Sequence, residues 1–453
     1  MADPYLRSAA DAIPIELVSS QDYERWLGAL PPGDREQAQR HRFRAKTGEV
    51  CWLGQGTDAI RAAAGWDGAS ALAALGGLPL KLGEGAYRLA QPVDEVQLLG
   101  WGLGCYQFTR YRSEAPATAQ LVLPENASFE RLGNFVSAVQ LARDLINTPA
   151  GDLLPSVLAE EAAEVAATQG ADCRIVIGDD LLVEGFEAIH AVGRAATDAP
   201  RLIDIRWGDD PEAPLIALVG KGVCFDSGGL NLKPAQGMRS MKKDMGGAAA
   251  ALGLAQLIMA EALPVRLRLL IPAVENAVAG NAYRPGDILN TYLGLRVEID
   301  NTDAEGRLIL CDALALAAEE EPTLMIDFAT LTGSARSAVG AELSALFCND
   351  DALADALFAA GRAVDDPLWR LPLHGDYNHM LKSKVADTLN AAPSPYGGAI
   401  IAALFLEKFV NGTPWAHFDI MGYNVRNRPG RPQGGEAMAM RAVFQYLEQR
   451  FKR

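Results

Sequence analysis

Three short segments concentrate charge where apolar elements should begin. In residues 301–308, NTDAEGRL, Asp303, Glu305 and Arg307 alternate just before a run that reads as a helix. In LIALVGKGVCFDSGGLNLKP, starting at Leu215, a strand-like run is followed by Lys221, Asp226 and Lys233. In MKKDMGGAAAALGLAQLI, starting at Met241, Asp244 stands at the mouth of an alanine-rich helix. Each segment has an ordinary structural reading. Thr302 and Glu305 match the capping box S/T-x-x-E, Asp303 and Asp244 would suit the first turn of a helix, and the lysines would be solvated. Taken together, four carboxylates with no surplus of histidine nearby form an oxygen-rich donor set suited to divalent cations. An extended backbone through 303–305 would point Asp303 and Glu305 the same way.

Other chemistries find less support. The five histidines show no HExxH pairing, and His374 and His379 read as ordinary surface or loop residues. GKG around Lys221 is not a phosphate loop, because G-x-x-x-x-G-K-[ST] is absent and GVCFDSGG does not open a helix. The six cysteines are scattered without a CxxC pair, which predicts small core residues and neither a disulfide framework nor a thiolate zinc site. A formal charge of -16 argues against a general nucleic-acid or anionic-membrane partner. No apolar run approaches the roughly 18 residues of a membrane span, and the N-terminal stretch lacks signal-peptide regions, so a cytoplasmic location is expected.

The elements that must position these residues follow from the apolar pattern. At 453 residues, 49% hydrophobic and 22% charged, the chain suits two or three globular domains. The part up to about Glu125 mixes strand-like runs (VCWLG, QLVLPE) with helical ones (ASALAAL, DEVQLLGWGL) and reads as a small α/β domain. Leu132, Phe135, Val136, Val139, Ala142 and Ile146 recur at helical spacing and predict a long helix stopping at Asn147-Thr148-Pro149. Beyond it, CRIVIG, LIDIRW, LIALVG, VRLRLLIPAV, LMIDFAT, ELSALF and WAHFDI alternate with helical runs. Strands apolar on both faces and separated by helices predict an α/β/α domain with a central mixed, largely parallel sheet, whose ligands gather at the strands' carboxyl ends.

GKGVCFDSGGLNLKP, MKKDMGGAAA and NTDAEGRL strongly resemble, in order and spacing, the signature segments of the leucyl (cytosol) aminopeptidases, which are dinuclear metal exopeptidases. The resemblance extends through ARDLINTPAG, FATLTGSA, KSKVADTLNA, GGAIIAALFL and WAHFDIMG. It implies a variable, macro-like α/β domain over 1–127, joined by the long helix to a catalytic domain over 128–453.

By motif position the resemblance implies Lys221, Asp226, Asp244, Asp303 and Glu305 as ligands of two divalent ions (Mn2+ or Zn2+), with Asp226 and Glu305 bridging. Two dications would balance the four carboxylates if Lys221 binds as a free amine, which a neighbouring dication favours by lowering the lysine's pKa. A hydroxide between the ions would attack the first peptide carbonyl. Lys233 would hold the developing oxyanion, and Arg307 would cradle a bicarbonate that relays protons. Asp244 would pair with the substrate's free α-amine, while Met241, Thr330 and Gly333 would line a pocket for leucine-like side chains. A homohexamer of two stacked trimers acting on peptides is also implied. The C-terminal stretch GYNVRNRPGRPQGGEAMAMRAVFQYLEQRF departs from the family pattern and suggests a distinct loop before the last helix. The rival readings are a dinuclear hydrolase of another substrate class, such as a dipeptidase or phosphoesterase, and a DNA-binding or regulatory protein, which the acidic balance disfavours.

Overall fold

The computed structural model describes residues 3–54, 60–114 and 116–452. Two compact units emerge, one of Met1–Gln140 with Val425–Gln433 and one of Leu141–Asn424 with Gly434–Arg453. The helix Phe129–Asn147 carries the chain from the first into the second, at the position its apolar spacing predicts. Among the described residues no helix is long and apolar enough to cross a membrane.

The first unit holds a six-stranded sheet of β1 (Tyr5–Leu6), β2 (Ile13–Ser19), β3 (Val50–Leu53), β4 (Arg61–Trp66), β5 (Gly85–Leu89) and β6 (Ala119–Val122). Their order is β1-β6-β5-β2-β4-β3, parallel throughout except for the edge pair β3–β4. The runs at Ala71–Gly76 and Glu95–Gly104 are helices. A reciprocal capping box does form in this unit, between Asp94 and Gln97.

The second unit is built on a nine-stranded mixed sheet. In chain order its strands are β7 (Asp172–Ile177), β8 (Arg201–Trp207), β9 (Leu215–Gly220), β10 (Gly222–Asp226), β11 (Arg266–Asn276), β14 (Leu324–Ala329), β15 (Ser344–Cys348), β16 (Leu368–Arg370) and β18 (Trp415–Asp419). The strands β12 (Ile288–Asn290), β13 (Arg296–Glu298) and β17 (Thr388–Leu389) form a separate small sheet. The central order β18-β14-β9-β11 is parallel, whereas β8, β7 and β15 join antiparallel to their inner neighbours. Every residue of β9 and β14 is buried, as expected of strands covered on both faces, and the one charge among them, Asp327 of β14, is buried with the rest. The helix Gly246–Ala260 packs on β9 and β14 through small side chains. A Cβ on Gly247 would fall 2.1 Å from the Phe328 carbonyl oxygen, so only glycine permits this approach. That close packing sets Asp244 beside the carboxyl ends of the central strands.

Candidate metal centre

Lys221 follows β9 directly, and its backbone N–H donates to the Phe328 carbonyl at 3.0 Å, which anchors it at the edge of the sheet. Its Nζ lies 2.7 Å from Asp244 Oδ2 and 2.9 Å from Glu305 Oε1, and donates to the Thr330 carbonyl at 3.2 Å. Gly306 makes room for this side chain, since a Cβ there would come within 2.5 Å of Lys221 Cε. Asp226 closes β10. Its Oδ1 accepts from the Gly228 N–H at 2.8 Å and from the Asn276 side-chain amide at 2.9 Å, while its Oδ2 lies 2.7 Å from Lys233 Nζ. Asp244 sits in the 3-10 segment Met241–Met245 and accepts from Thr330 Oγ1 at 2.8 Å.

Carboxylate oxygens of Asp226, Asp244 and Glu305 lie within 4.8 Å of one another, and all three residues are buried. Asp303 is outside this triad, with 33% of its side chain exposed, and is tied to it through Lys233, which pairs with both Asp226 and Asp303. Two local expectations fail here. Residues 302–303 form a turn, and Glu305 has helical backbone angles immediately before the helix Gly306–Ala318, so the segment is not an extended strand. Nor does the Thr302 capping box form. The Thr302 hydroxyl donates to the Gly228 carbonyl and accepts from the Asn231 N–H, and Glu305 makes no capping bond. The long-range partners, the glycine loop after β10, outcompete the local cap.

Burial gives the cluster its electrostatic character. Desolvation first, then the Asp244 charge, raises the Asp226 carboxyl, and desolvation together with Asp226 pushes Glu305 up to about 8. Desolvation also acts to raise Asp244, but Lys221 and Lys243 outweigh it and leave that carboxyl below its ordinary value. For Lys221 burial disfavours charge, yet Asp244, Glu305 and Asp226 together hold its ammonium above the usual lysine range. Four carboxylates thus gather around Lys221 and Lys233, and Glu305 Oε2 is buried with no hydrogen-bond partner among the described residues. An oxygen-rich cluster with an unpaired buried carboxylate oxygen fits hard divalent cations.

Arg307, in the first turn of Gly306–Ala318, donates from Nη1 to the Asn390 carbonyl at 2.6 Å, and its Nε is buried without a partner among the described residues. Burial pushes this guanidinium down to about 10, against the pull of Glu305. Met241 is buried, the Thr330 hydroxyl is spent on Asp244, and Gly333 is exposed at the start of the helix Gly333–Val339. His374 and His379 are exposed, and all six cysteines are free thiols.

Several supporting residues escape a reading by motif. Asn276 is fully buried and also donates to the Thr302 carbonyl at 3.1 Å, where the Tyr283 hydroxyl donates at 2.6 Å. Asn390 accepts from the Asp300 N–H and donates to the Asn301 carbonyl, bracing the loop before Arg307. One sequence signal did exist for Asn276: a polar residue ending the long apolar run of β11.

The sequence model of the cytosol aminopeptidase family's catalytic domain matches residues 140–444. The chain belongs to the cytosol aminopeptidase family. As such it is a metal-dependent aminopeptidase, a hydrolase acting on peptides. The family's M17 aminopeptidase N-terminal domain matches residues 13–124. A probable cytosol aminopeptidase of Syntrophotalea carbinolica is 41% identical over 390 residues, covering 82% of this chain and 78% of the relative. The crystal structure of a cytosol aminopeptidase from Coxiella burnetii superposes with a TM-score of 0.95 at 49% identity, covering all of both chains. The bottromycin maturation enzyme BotP, solved in complex with Mn, superposes with a TM-score of 0.87 at 34% identity, covering 97% of this chain and 99% of that one.

Proposed function

We propose that this cytosol aminopeptidase removes single residues, leucine-like ones among them, from peptide N-termini at a pair of divalent ions. Lys221, Asp226, Asp244, Asp303 and Glu305 would hold them, Asp226 and Glu305 being shared. Bound there, the ions would supply the Lewis acidity that polarises the scissile carbonyl and an acidified shared water as nucleophile. The observation that carries this reading is the buried triad of Asp226, Asp244 and Glu305, with Glu305 Oε2 unpaired.

The chain's own residues do the rest. Lys233 presents a fixed ammonium where the carbonyl oxygen gains charge. It now pairs with Asp226 and Asp303, so it neutralises those carboxylates until cations replace it in that role. Arg307, buried and with a spare Nε, suits a small anion such as bicarbonate that carries a proton between nucleophile and leaving amine. Asp244 offers a carboxylate to the substrate's α-amine, a contact that an internal peptide bond cannot make, and this restricts cleavage to the N-terminus. Met241, Thr330 and Gly333 would border the first side chain. Manganese is favoured by the BotP complex, with zinc as the alternative. A cytoplasmic homohexamer completes the proposal, its location supported by the names of the relatives.

The test is metal analysis with leucyl-anilide turnover before chelation, after it, and after readdition of Mn2+ or Zn2+. Two ions per chain and recovery of turnover are expected. Full turnover by metal-free protein would refute the proposal.

A further inference from the structure

In the first unit, two neighbouring parallel strands send the chain in opposite directions. β2 and β5 pair in parallel, Ile13 against Tyr87 and Ile15 against Leu89. From β2 the chain passes through the helix Tyr23–Ala29 toward β3 and β4 at one edge of the sheet, and from β5 it passes through the helix Glu95–Gly104 to β6 toward the other. Adjacent connections that part in this way leave a crevice outside the strands' carboxyl ends, the place where open α/β sheets take ligands. Here the crevice is a cavity of about 660 Å³, bounded by Ser19 at the end of β2, Trp66 at the end of β4, Trp26 of the first helix, and Gln91 and Asp94 after β5. That volume suits a small organic ligand.

Two residues of the lining hold a buried polar atom without a partner among the described residues: Trp26 Nε1, a donor, and Gln91 Oε1, an acceptor. The Gln91 amide is fixed this way round, because its Nε2 donates to the Leu17 carbonyl at 2.6 Å and a carbonyl can only accept. Trp66 Nε1 donates to the Ser70 carbonyl at 2.8 Å, so that indole offers only its ring. Trp26 packs edge to face on Phe43, with ring centroids 5.3 Å apart. A buried donor and a buried acceptor left unmade are costly, and a ligand edge carrying the complementary acceptor and donor would satisfy both.

The charges of the lining disfavour an anion. Asp94 caps the helix Glu95–Gly104: its Oδ1 accepts from the Gln97 N–H at 2.8 Å, while Gln97 Oε1 accepts from the Asp94 N–H at 2.9 Å. A carboxylate thus already holds the helix mouth at which a phosphate would otherwise dock. Arg25, the one cation among the described lining residues, is paired with Asp22 at 2.9 Å.

We propose that this cavity binds the base of an uncharged nucleoside. The indoles take a flat heteroaromatic ring, which aromatic side chains hold with little regard to its identity. The edge of that ring gives an acceptor to Trp26 Nε1 and an N–H to Gln91 Oε1. A 5′-phosphate adds no affinity, since the lining offers two carboxylates and a guanidinium that is already paired. The assignment does not rest on the function proposed for the metal centre.

Titration calorimetry of the full chain with adenosine, guanosine, cytidine and uridine, and with their 5′-monophosphates, tests the site in the parent, Trp26→Phe and Gln91→Met. At least one nucleoside is expected to bind saturably with a Kd below about 1 mM, and its monophosphate no more tightly. Trp26→Phe keeps an aromatic ring and removes the donor, and Gln91→Met removes the acceptor; each should weaken the nucleoside about tenfold. Far-UV circular dichroism and thermal melts establish that the variants are folded, and because the substitutions sit on separate segments, a folding defect in one leaves the other to decide. The site is overturned by a parent that binds none of the nucleosides saturably, by a monophosphate that binds more than about tenfold tighter than its nucleoside, or by parent-like affinity in either folded variant.

Discussion

Lys221 Nζ donates to Asp244 Oδ2 at 2.7 Å in a pocket closed to solvent. The carboxylates around it favour the ammonium, whereas ligation needs the free amine. Metal binding must therefore expel a proton from this side chain, and apparent Mn2+ affinity should rise steadily with pH throughout the range below the lysine's own titration. Titration calorimetry in buffers of different ionisation enthalpy reads the released proton directly. Lys221→Met should abolish that component, and an unchanged proton release in the variant would remove Lys221 from the ligand set.

Gly306 separates helix stability from activity. Alanine there should favour the helix by up to about 1 kcal/mol, yet its Cβ would sit 2.5 Å from Lys221 Cε. The flexible end of a lysine can move aside, so Gly306→Ala is expected to keep or raise the melting temperature while losing metal affinity and turnover. Parent-like kinetics in a folded variant would mean that the position of Lys221 does not matter.

Asn276 holds Asp226 Oδ1 at 2.9 Å and braces the Thr302 carbonyl without reaching the cluster's interior. Substitutions of such orienting partners weaken metal affinity or activity by about 10- to 100-fold. Asn276→Ala should fall in that range, measured as Mn2+ affinity and as leucyl-anilide turnover at saturating metal.

A second buried charge pair lies away from the centre and links stability to pH. His417 in β18 faces its register partner Asp327 in β14, with Nδ1 2.6 Å from Asp327 Oδ1, while the Trp415 indole donates to Asp327 Oδ2 at 2.7 Å. Burial opposes the imidazolium, but Asp327 outweighs it and raises the pKa above the ordinary 6.5. A raised histidine contributes stability that is complete below the unfolded-state value and is lost as pH climbs through the folded one. Thermal melts should thus show a loss that begins above about pH 6.5 and is absent in His417→Gln. Asp327→Asn, which strands the buried imidazole and indole, should cost about 3 to 5 kcal/mol at pH values where the pair is charged.

Much of the architecture was legible because its signals are local. LIALVG is apolar at every position and LMIDFA at every position but Asp327, and a strand buried on both faces needs little else to declare itself. The helix Phe129–Asn147 was readable from its spacing and its proline stop. Less was legible where one hydroxyl or one carboxylate had several possible partners. The Thr302-to-Glu305 pattern is a sound capping box in isolation, but the hydroxyl turned instead to Gly228 and Asn231, more than seventy residues away. The short strand β10 was hidden in GVCFD, whose pairing is visible only beside β11. The departing C-terminal stretch is divided as well: Val425–Gln433 groups with the first unit and the rest with the second.

By itself the order of residues determined the inventory: which side chains could bind cations, which runs must be strands, and to which family the signature segments are similar. Those depend on composition and on short-range periodicity, which survive in a one-dimensional string. Tertiary structure decided which of the charged groups meet. It set Asp226, Asp244 and Glu305 together while leaving Asp303 at the margin, and gave Lys221 its space beside Gly306. Electrostatic energy depends on separation and burial, and neither quantity exists until the sheet has brought distant loops to one edge.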